Sequence, residues 1–429
     1  MQIHKFGGAS VKDAEGVKNL SEVLKTTGTQ NKLLVVSAMG KTTNALENIL
    51  TSYFSIPAST SGDITASEEL KNLVFDLKNF HLNIAKELFG NESHPVFGKI
   101  HEQFEELKAF FARNKSPNYD YVYDQTVGFG ELLSTTIVSE YLNFIGIKNQ
   151  WLDVRSLIKT DDTYREGVVN WETTQANISA GVDTDKLIVT QGFIASNENN
   201  FTTTLGREGS DYTAAIFAYC LNAESLSIWK DVEGVLNGDP KTFENTRLLE
   251  QISYTEAIEL AFYGASVIHP KTLQPLQKKE IPLYVRSFLH PEKKGTCVGR
   301  GKKIQPEIPC YILKKNLWLL SLSSLDFSFI VEENISEIFG LFHKHQIKVD
   351  LIQNSAISFC VCADNKYNTI QKLIPLLKAK YKVKFHENVS LYTIRHFTEK
   401  AIAEMEKGKE VLLKQRTRET VQFIVKDAS

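Results

Sequence analysis

Between residue 1 and about residue 300, short apolar runs alternate with stretches in which apolar residues recur at helical spacing. Leu33-Leu34-Val35-Val36 ends at Ser37-Ala38-Met39-Gly40, and a helix is expected from Asn44. Leu70, Leu73, Val74 and Leu77, and later Phe104, Leu107 and Phe110, predict long amphipathic helices between about Ser67 and Arg113. Leu187-Ile188-Val189-Thr190 runs into Gln191-Gly192-Phe193, and Ser225-Leu226-Ser227-Ile228-Trp229 is a third run. Short, wholly apolar strands separated by helices predict an α/β fold whose central sheet is mostly parallel and flanked by helices.

Pro291-Glu292-Lys293-Lys294-Gly295-Thr296 breaks this pattern, and Lys302-Lys303, Pro306 and Pro309 prolong the break. A domain boundary is expected here, dividing residues 1–300 from 305–429. Beyond it the order becomes β-α-β-β-α-β. Strands are expected at Leu317 to Leu322, Ile347 to Ile352, Ile357 to Cys362 and from Val383, with helices at Ile335 to His345 and Tyr367 to Lys378. That is a ferredoxin-like unit over about 315–388. Val389 to Ile394, a helix around Ala401 to Met405, Val411 to Lys414 and Val421 to Val425 begin a second such unit over 389–429, truncated before its last helix and strand.

With 429 residues, 42% of them hydrophobic, the chain can fill the cores of two or three domains. Its 49 basic and 51 acidic residues nearly cancel, which gives no reason to expect nucleic acid or an anionic membrane as partner. No run of eighteen apolar residues predicts a membrane span, and Met1 to Phe6 reads as a strand rather than a signal peptide. The cysteines, Cys220, Cys297, Cys310, Cys360 and Cys362, lack CxxC spacing. Cys360 and Cys362 fall on one strand face and read as buried thiols, so no metal site is expected and a reducing cytoplasm fits.

Candidate chemistry lies where strands end. Lys5-Phe6-Gly7-Gly8-Ala9-Ser10 carries an apolar strand into two glycines and then a helix expected near Val11. Glycines admit a bulky anion close to the backbone, and helix-start amides favour negative charge. The spacing is not that of a Walker A motif, and a plain turn is the simpler reading. Gly206-Arg207-Glu208-Gly209-Ser210-Asp211 is a second glycine loop before an apolar helix, Tyr212 to Tyr219. Arg207 suits a carboxylate; Asp211 either caps the helix or takes an ammonium group. Phe129-Gly130-Glu131 reads as a helix start, where a glutamate is stabilised by the dipole. Trp229-Lys230-Asp231 leads to Gly238-Asp239-Pro240-Lys241, loops at a strand's carboxyl end, where ligands of open α/β sheets bind.

Taken in order, these segments resemble the aspartate kinases of the amino-acid kinase superfamily. The likeness adds Val36-Ser37-Ala38 to Thr43-Asn44, Ile252-Ser253-Tyr254 with Glu256-Ala257, and Gly264-Ala265 to His269-Pro270. The C-terminal units are similar to that family's paired ACT regulatory modules. The resemblance implies transfer of the γ-phosphoryl group of MgATP to L-aspartate, the first step of lysine, threonine and methionine synthesis. It implies that Lys5 and Asp211 are catalytic and that Ser37, Thr43, Glu131, Arg207, Ser210 and Asp211 bind aspartate. Lys5, Gly7, Gly8, Lys230, Asp231, Asp239, Lys241 and Ser266 would meet the nucleotide. It also implies a homodimer and an amino-acid effector at the ACT region.

Several positions depart from the family's usual residues. Ala9 stands where threonine or serine is common, Glu208 where glycine is, and Lys230, Leu236, Lys241 and Ser266 replace threonine, tyrosine, arginine and lysine. Asp350 matches an effector-site position, whereas Ala356 stands where lysine-sensitive members are acidic and Ile330 to Ile335 lacks the usual glycine. Two other readings stay open at this point. One is an acyl-phosphate kinase for glutamate or a derivative, the other a non-catalytic amino-acid sensor on the same fold.

Overall fold

A computed structural model describes residues 1–56, 67–265, 268–326 and 328–426. The chain divides into two compact units, Met1–Val235 with Leu248–Ile258 and Ile268–Ile304, and Leu236–Arg247 with Glu259–Val267 and Gln305–Ser429.

Among the described residues of the first unit, eight strands form one sheet in the order β3-β4-β2-β1-β7-β9-β10-β8. They are β1 (Gln2–Phe6), β2 (Lys32–Val36), β3 (Gln150–Leu152), β4 (Ile188–Gln191), β7 (Ser225–Lys230), β8 (Gln251–Ser253), β9 (Leu283–Ser287) and β10 (Thr296–Gly299). All neighbours pair parallel except β9 with β10. A short antiparallel pair, β5 (Ile194–Ser196) and β6 (Thr202–Thr204), lies apart. β1 sits between β2 and β7, with Lys5 opposite Val35 on one side and Ile228 on the other. Every residue of β2 is buried, as a parallel strand covered on both faces requires. Buried Lys32 is accommodated because its ammonium donates to the carbonyls of Thr27 and Gly28, which close α1 (Ala14–Thr27).

The helices are α1, α2 (Thr42–Ser55), α3 (Glu68–Phe89), α4 (Pro95–Arg113), α5 (Tyr119–Phe144), α6 (Trp171–Gly181), α7 (Gly209–Cys220), α8 (Tyr254–Tyr263) and α9 (Pro270–Lys279). The amphipathic stretch between Ser67 and Arg113 is α3 and α4. The expectation that a helix starts at Phe129 is wrong: α5 begins at Tyr119, capped by Asn118, and Glu131 lies in its middle. Gly128 and Gly130 look like breaks in the sequence but are packing glycines. A Cβ on Gly130 would come within 3.0 Å of Thr42 and 3.1 Å of Ala38, and one on Gly128 within 3.3 Å of Thr202. They let α5 press against the strand ends.

The second unit holds β11 (Cys310–Ser323), α10 (Glu332–Lys344), β12 (Lys348–Asn354), β13 (Ser358–Asp364), α11 (Ile370–Lys378), β14 (Lys382–Arg395), α12 (Glu399–Glu406), β15 (Val411–Arg416) and β16 (Thr420–Lys426). Its strands form an antiparallel sheet in the order β12-β13-β11-β14-β16-β15. The expected β-α-β-β-α-β order is present. Trp318, Leu320 and Leu322 join the core with Phe342 and Leu373, while Leu317 and Leu319 point into a separate cluster with Cys362 and Leu391. That alternation is the period of two of a strand buried on both faces. The strand expected at Leu317 begins instead at Cys310. Residues 310–314 pair with 391–395, beyond a bulge between Lys314 and Leu317, and so supply the truncated half with a strand from upstream.

Candidate active site

The ends of β1, β2, β6 and β7 and residues of α2, α5 and α7 converge on a cavity of about 860 Å³ in the first unit. β1 delivers Lys5, which is buried, with its Nζ 2.6 Å from Asp211 Oδ1. Asp211 stands in the first turn of α7, but the capping residue there is Glu208, so Asp211 is a partner for Lys5 rather than a helix cap. A charge pair this buried survives only with close geometry, because each ion has given up its water. Gly8 follows; a Cβ there would meet the Ala38 carbonyl oxygen at 2.8 Å, and the Gly8 carbonyl accepts from Gly40 N at 3.1 Å. The Lys5-Gly8 and Ser37-Gly40 turns thus lie backbone to backbone.

β2 ends at Ser37, whose amide donates to the Phe6 carbonyl and whose carbonyl accepts from Ser134 Oγ of α5 at 2.7 Å. One turn earlier on α5, Glu131 Oε1 accepts from Ala38 N at 3.3 Å, while Oε2 has no hydrogen-bond partner. Burial pushes the Glu131 carboxyl up to about 8, against the smaller opposing pull of the Ala38 amide and of Lys5. A desolvated carboxyl with one oxygen unmatched is suited to a cation from outside the chain.

Arg207 enters the same cavity from the loop between β6 and α7. Gly206 has φ +77, a conformation open to glycine, and Glu208 adopts φ +54. The positive φ explains why glycine is usual at the Glu208 position. Here the side chain lines the cavity, and its Oε2 accepts from His269 N at 2.9 Å. Ser210, Ser37, Thr43 and Lys230 complete the predicted residues that line the cavity. Tyr123, Tyr164, Arg165, Glu166, Phe193 and Thr204 line it too and were not foreseen. Tyr164, Arg165 and Glu166 lie in a loop with no motif, and Tyr123 lies two turns before Gly130 on α5. Phe193 and Thr204 stand at or beside strand ends and give no signal of their own beyond those runs.

Other predicted residues are not brought together here. Gly7 and Asp231 are not among the lining residues. Asp239 and Lys241 fall in the Leu236–Arg247 segment of the second unit, where Asp239 Oδ1 accepts from Lys241 N in a local turn. Ser266 lies outside the described residues. Among the described residues no group of three or more His, Cys, Asp or Glu could hold a metal ion, and no helix is long and apolar enough to cross a membrane.

Comparison with known proteins agrees with this geometry. The amino acid kinase family matches residues 1–287. Lysine-sensitive aspartokinase 3 of Escherichia coli (strain K12) is 30% identical over 410 residues, 91% of this chain and 86% of that protein. Chloroplastic aspartokinase 1 of Arabidopsis thaliana is 32% identical over 372 residues, 84% of this chain and 63% of that protein. The crystal structure of E. coli aspartokinase III with aspartate and ADP (R-state) is 27% identical and superposes with a TM-score of 0.77, covering 99% of this chain and 96% of that one. Its complex with lysine and aspartate (T-state) gives 0.78 over the same shares.

Proposed function

Since this chain belongs to the amino acid kinase family, and within it to the aspartokinases, we propose that the cavity around Lys5, Glu131 and Arg207 is where L-aspartate and ATP meet. The enzyme uses ATP to phosphorylate L-aspartate. A β-carboxylate oxygen of aspartate attacks the γ-phosphorus; the bond from that phosphorus to the bridging oxygen breaks, and 4-phospho-L-aspartate and ADP leave. The acceptor is already an anion at neutral pH, so no general base is needed. Alignment and positive charge do the work.

Arg207 takes the α-carboxylate of aspartate, as a planar fork matches a carboxylate. Glu131 takes the ammonium group. Asp211, first considered for that role, is already paired with Lys5, whereas Glu131 Oε2 is unmatched. Lys5, held by Asp211, lays its charge on the transferring phosphoryl oxygens. Ser37, Thr43 and Ser210 offer hydroxyls around aspartate, and Gly7, Gly8, Lys230 and Asp231, at the ends of β1 and β7, serve the nucleotide. Gly8 and Lys230 are the members of that set that line the cavity.

Mg²⁺ belongs to this reading. Asp211, the cavity carboxylate beside Lys5, is the residue that would help hold it, and the ion would supply positive charge to the phosphates. We also propose a cytoplasmic homodimer with a kinase region over 1–300 and an ACT region over 305–429 that answers to an amino acid. Asp350, the expected effector acid, is held by Lys314 at 2.6 Å, so an effector ammonium there has to displace that lysine.

The observation that carries the proposal is the convergence of Lys5, Glu131, Arg207 and Asp211 on one cavity. Incubation with MgATP and hydroxylamine should give aspartyl hydroxamate from L-aspartate and far less from glutamate or N-acetylglutamate. Folded protein that gives no hydroxamate from aspartate, or more from glutamate, would overturn it.

A further inference from the structure

The strap from Asp161 to Val168 closes on itself. Asp161 N donates to the Val168 carbonyl and Val168 N to Asp161 Oδ1, while Thr160 bridges Val169. At its tip Arg165 has φ +68, a left-handed conformation that costs an arginine energy and persists only when neighbours hold it. The main anchor is Asp124 of α5, a fully buried residue. Its Oδ2 accepts from Arg165 N at 2.9 Å and from Thr204 N at 2.9 Å, and its Oδ1 accepts from Thr204 Oγ1 at 2.8 Å. The strap and β6 are further joined by Gly167 N donating to the Thr204 carbonyl at 2.8 Å.

Thr204 is two residues before Gly206 and three before Arg207. The strap also touches that glycine directly: a Cβ on Gly206 would come 3.2 Å from the Arg165 carbonyl oxygen and 3.2 Å from Glu166 Cγ. Asp124 precedes Glu131 by seven residues, two turns of the same helix, so both carboxyls share one face of α5. One helix therefore carries a carboxyl in the cavity and a second that fixes the loop delivering Arg207. Burying a carboxyl among neutral donors is costly where an apolar side chain would pack, and burial raises Asp124 to about 6.

We propose that Asp124 is a positioning residue for aspartate binding, its buried carboxyl locking the 161–168 strap to β6 and thereby fixing where Gly206-Arg207 presents its guanidinium. The proposal rests on the aspartate-binding reading of the cavity. Asp124 is not among the residues that line the cavity. Its effect passes through the Thr204-to-Arg207 backbone, so it bears on aspartate affinity and spares the nucleotide.

Asparagine can replace the bonding pattern. Its carbonyl oxygen accepts from both amides, and its amide group donates to Thr204 Oγ1, whose hydroxyl hydrogen turns away. Alanine leaves three donors unmatched, both of those on Thr204 buried. Steady-state kinetics of Asp124→Ala, Asp124→Asn and Thr204→Val test the idea, with the wild type's hydroxamate yield from aspartate checking the parent reading separately. Asp124→Ala should raise KM for aspartate roughly 10- to 100-fold with KM for ATP within about twofold. Thr204→Val, which removes one bond and keeps its size, should raise it about threefold, and Asp124→Asn should stay within about threefold of wild type. A lowered kcat with unchanged aspartate KM, the mark of a smaller folded fraction, would overturn the proposal. So would Asp124→Asn as impaired as Asp124→Ala, or Thr204→Val at wild-type KM.

Discussion

Each unit of this protein contains a lysine–aspartate pair of the same length. Lys5 meets Asp211 at 2.6 Å in the kinase unit, and Lys314 meets Asp350 at 2.6 Å in the antiparallel unit. In both the aspartate is nearly inaccessible. Their surroundings differ. Lys5 lies on a cavity of about 860 Å³ shared with Arg207 and with a glutamate carrying an unmatched oxygen. Lys314 leaves β11 at a bulge, beside Gly264 and close to Cys362, whose thiol is pushed up to about 12 by burial and by Asp350. A buried ion pair is thus poor evidence of chemistry by itself. What marks the Lys5 pair is the cavity beside it and a neighbouring carboxyl whose bonding the chain leaves unfinished.

The comparison can be broken at several points. Lys5→Ala should show the largest effect, a fall in kcat of roughly 10²- to 10³-fold with aspartate binding by calorimetry nearly unchanged, because the charge acts on the phosphoryl group. Loss of aspartate binding instead would place Lys5 in the amino-acid pocket. Arg207→Ala should raise the aspartate KM roughly 10- to 100-fold, with Arg207→Lys recovering only part; an unchanged KM would remove the carboxylate clamp. Lys314→Met should act on stability, lowering it by about 2 kcal/mol in denaturant unfolding, with effector-free kcat within about twofold. A collapse of kcat there would mean that the two pairs are closer in role than their settings suggest.

Glu131 sharpens the contrast through pH. Its folded value of about 8 exceeds the ~4.3 of an unfolded glutamate. A raised carboxyl gives stability that is whole below about pH 4 and is lost as pH rises through about 8. Glu131→Gln escapes that loss, so its Tm relative to wild type should climb by roughly 5–15 °C between pH 5 and pH 9 while aspartate binding is lost. A Tm difference flat with pH would show that Glu131 is ionised in the free protein.

Lys5, Arg207 and Asp211 were legible in the sequence because each sits beside a glycine turn at the end of a short apolar strand. Glu131 was legible as a residue but misplaced, because Gly128 and Gly130 mimic a helix start while serving close packing inside α5. Asp124 gave no signal: it is one of two acids, with Asp120, beside the aromatics of Tyr119 to Tyr123, and its partners lie 41 and 80 positions away. The upstream half of β11 was hidden by Lys314-Lys315-Asn316, where Asn316 takes φ +60 and the strand shifts register. Local pattern reports strands and turns well. It does not report which distant donors a buried acid will meet.

The central claim is that free aspartate enters a cavity where Glu131 waits protonated and leaves it as the ammonium's partner. Isothermal titration of L-aspartate in buffers of different ionisation enthalpy counts the protons released. With the carboxyl raised to about 8, most of one proton should leave per aspartate bound at pH 7, falling toward zero as pH rises past that value. Aspartate binding at pH 7 with no proton release would contradict the account.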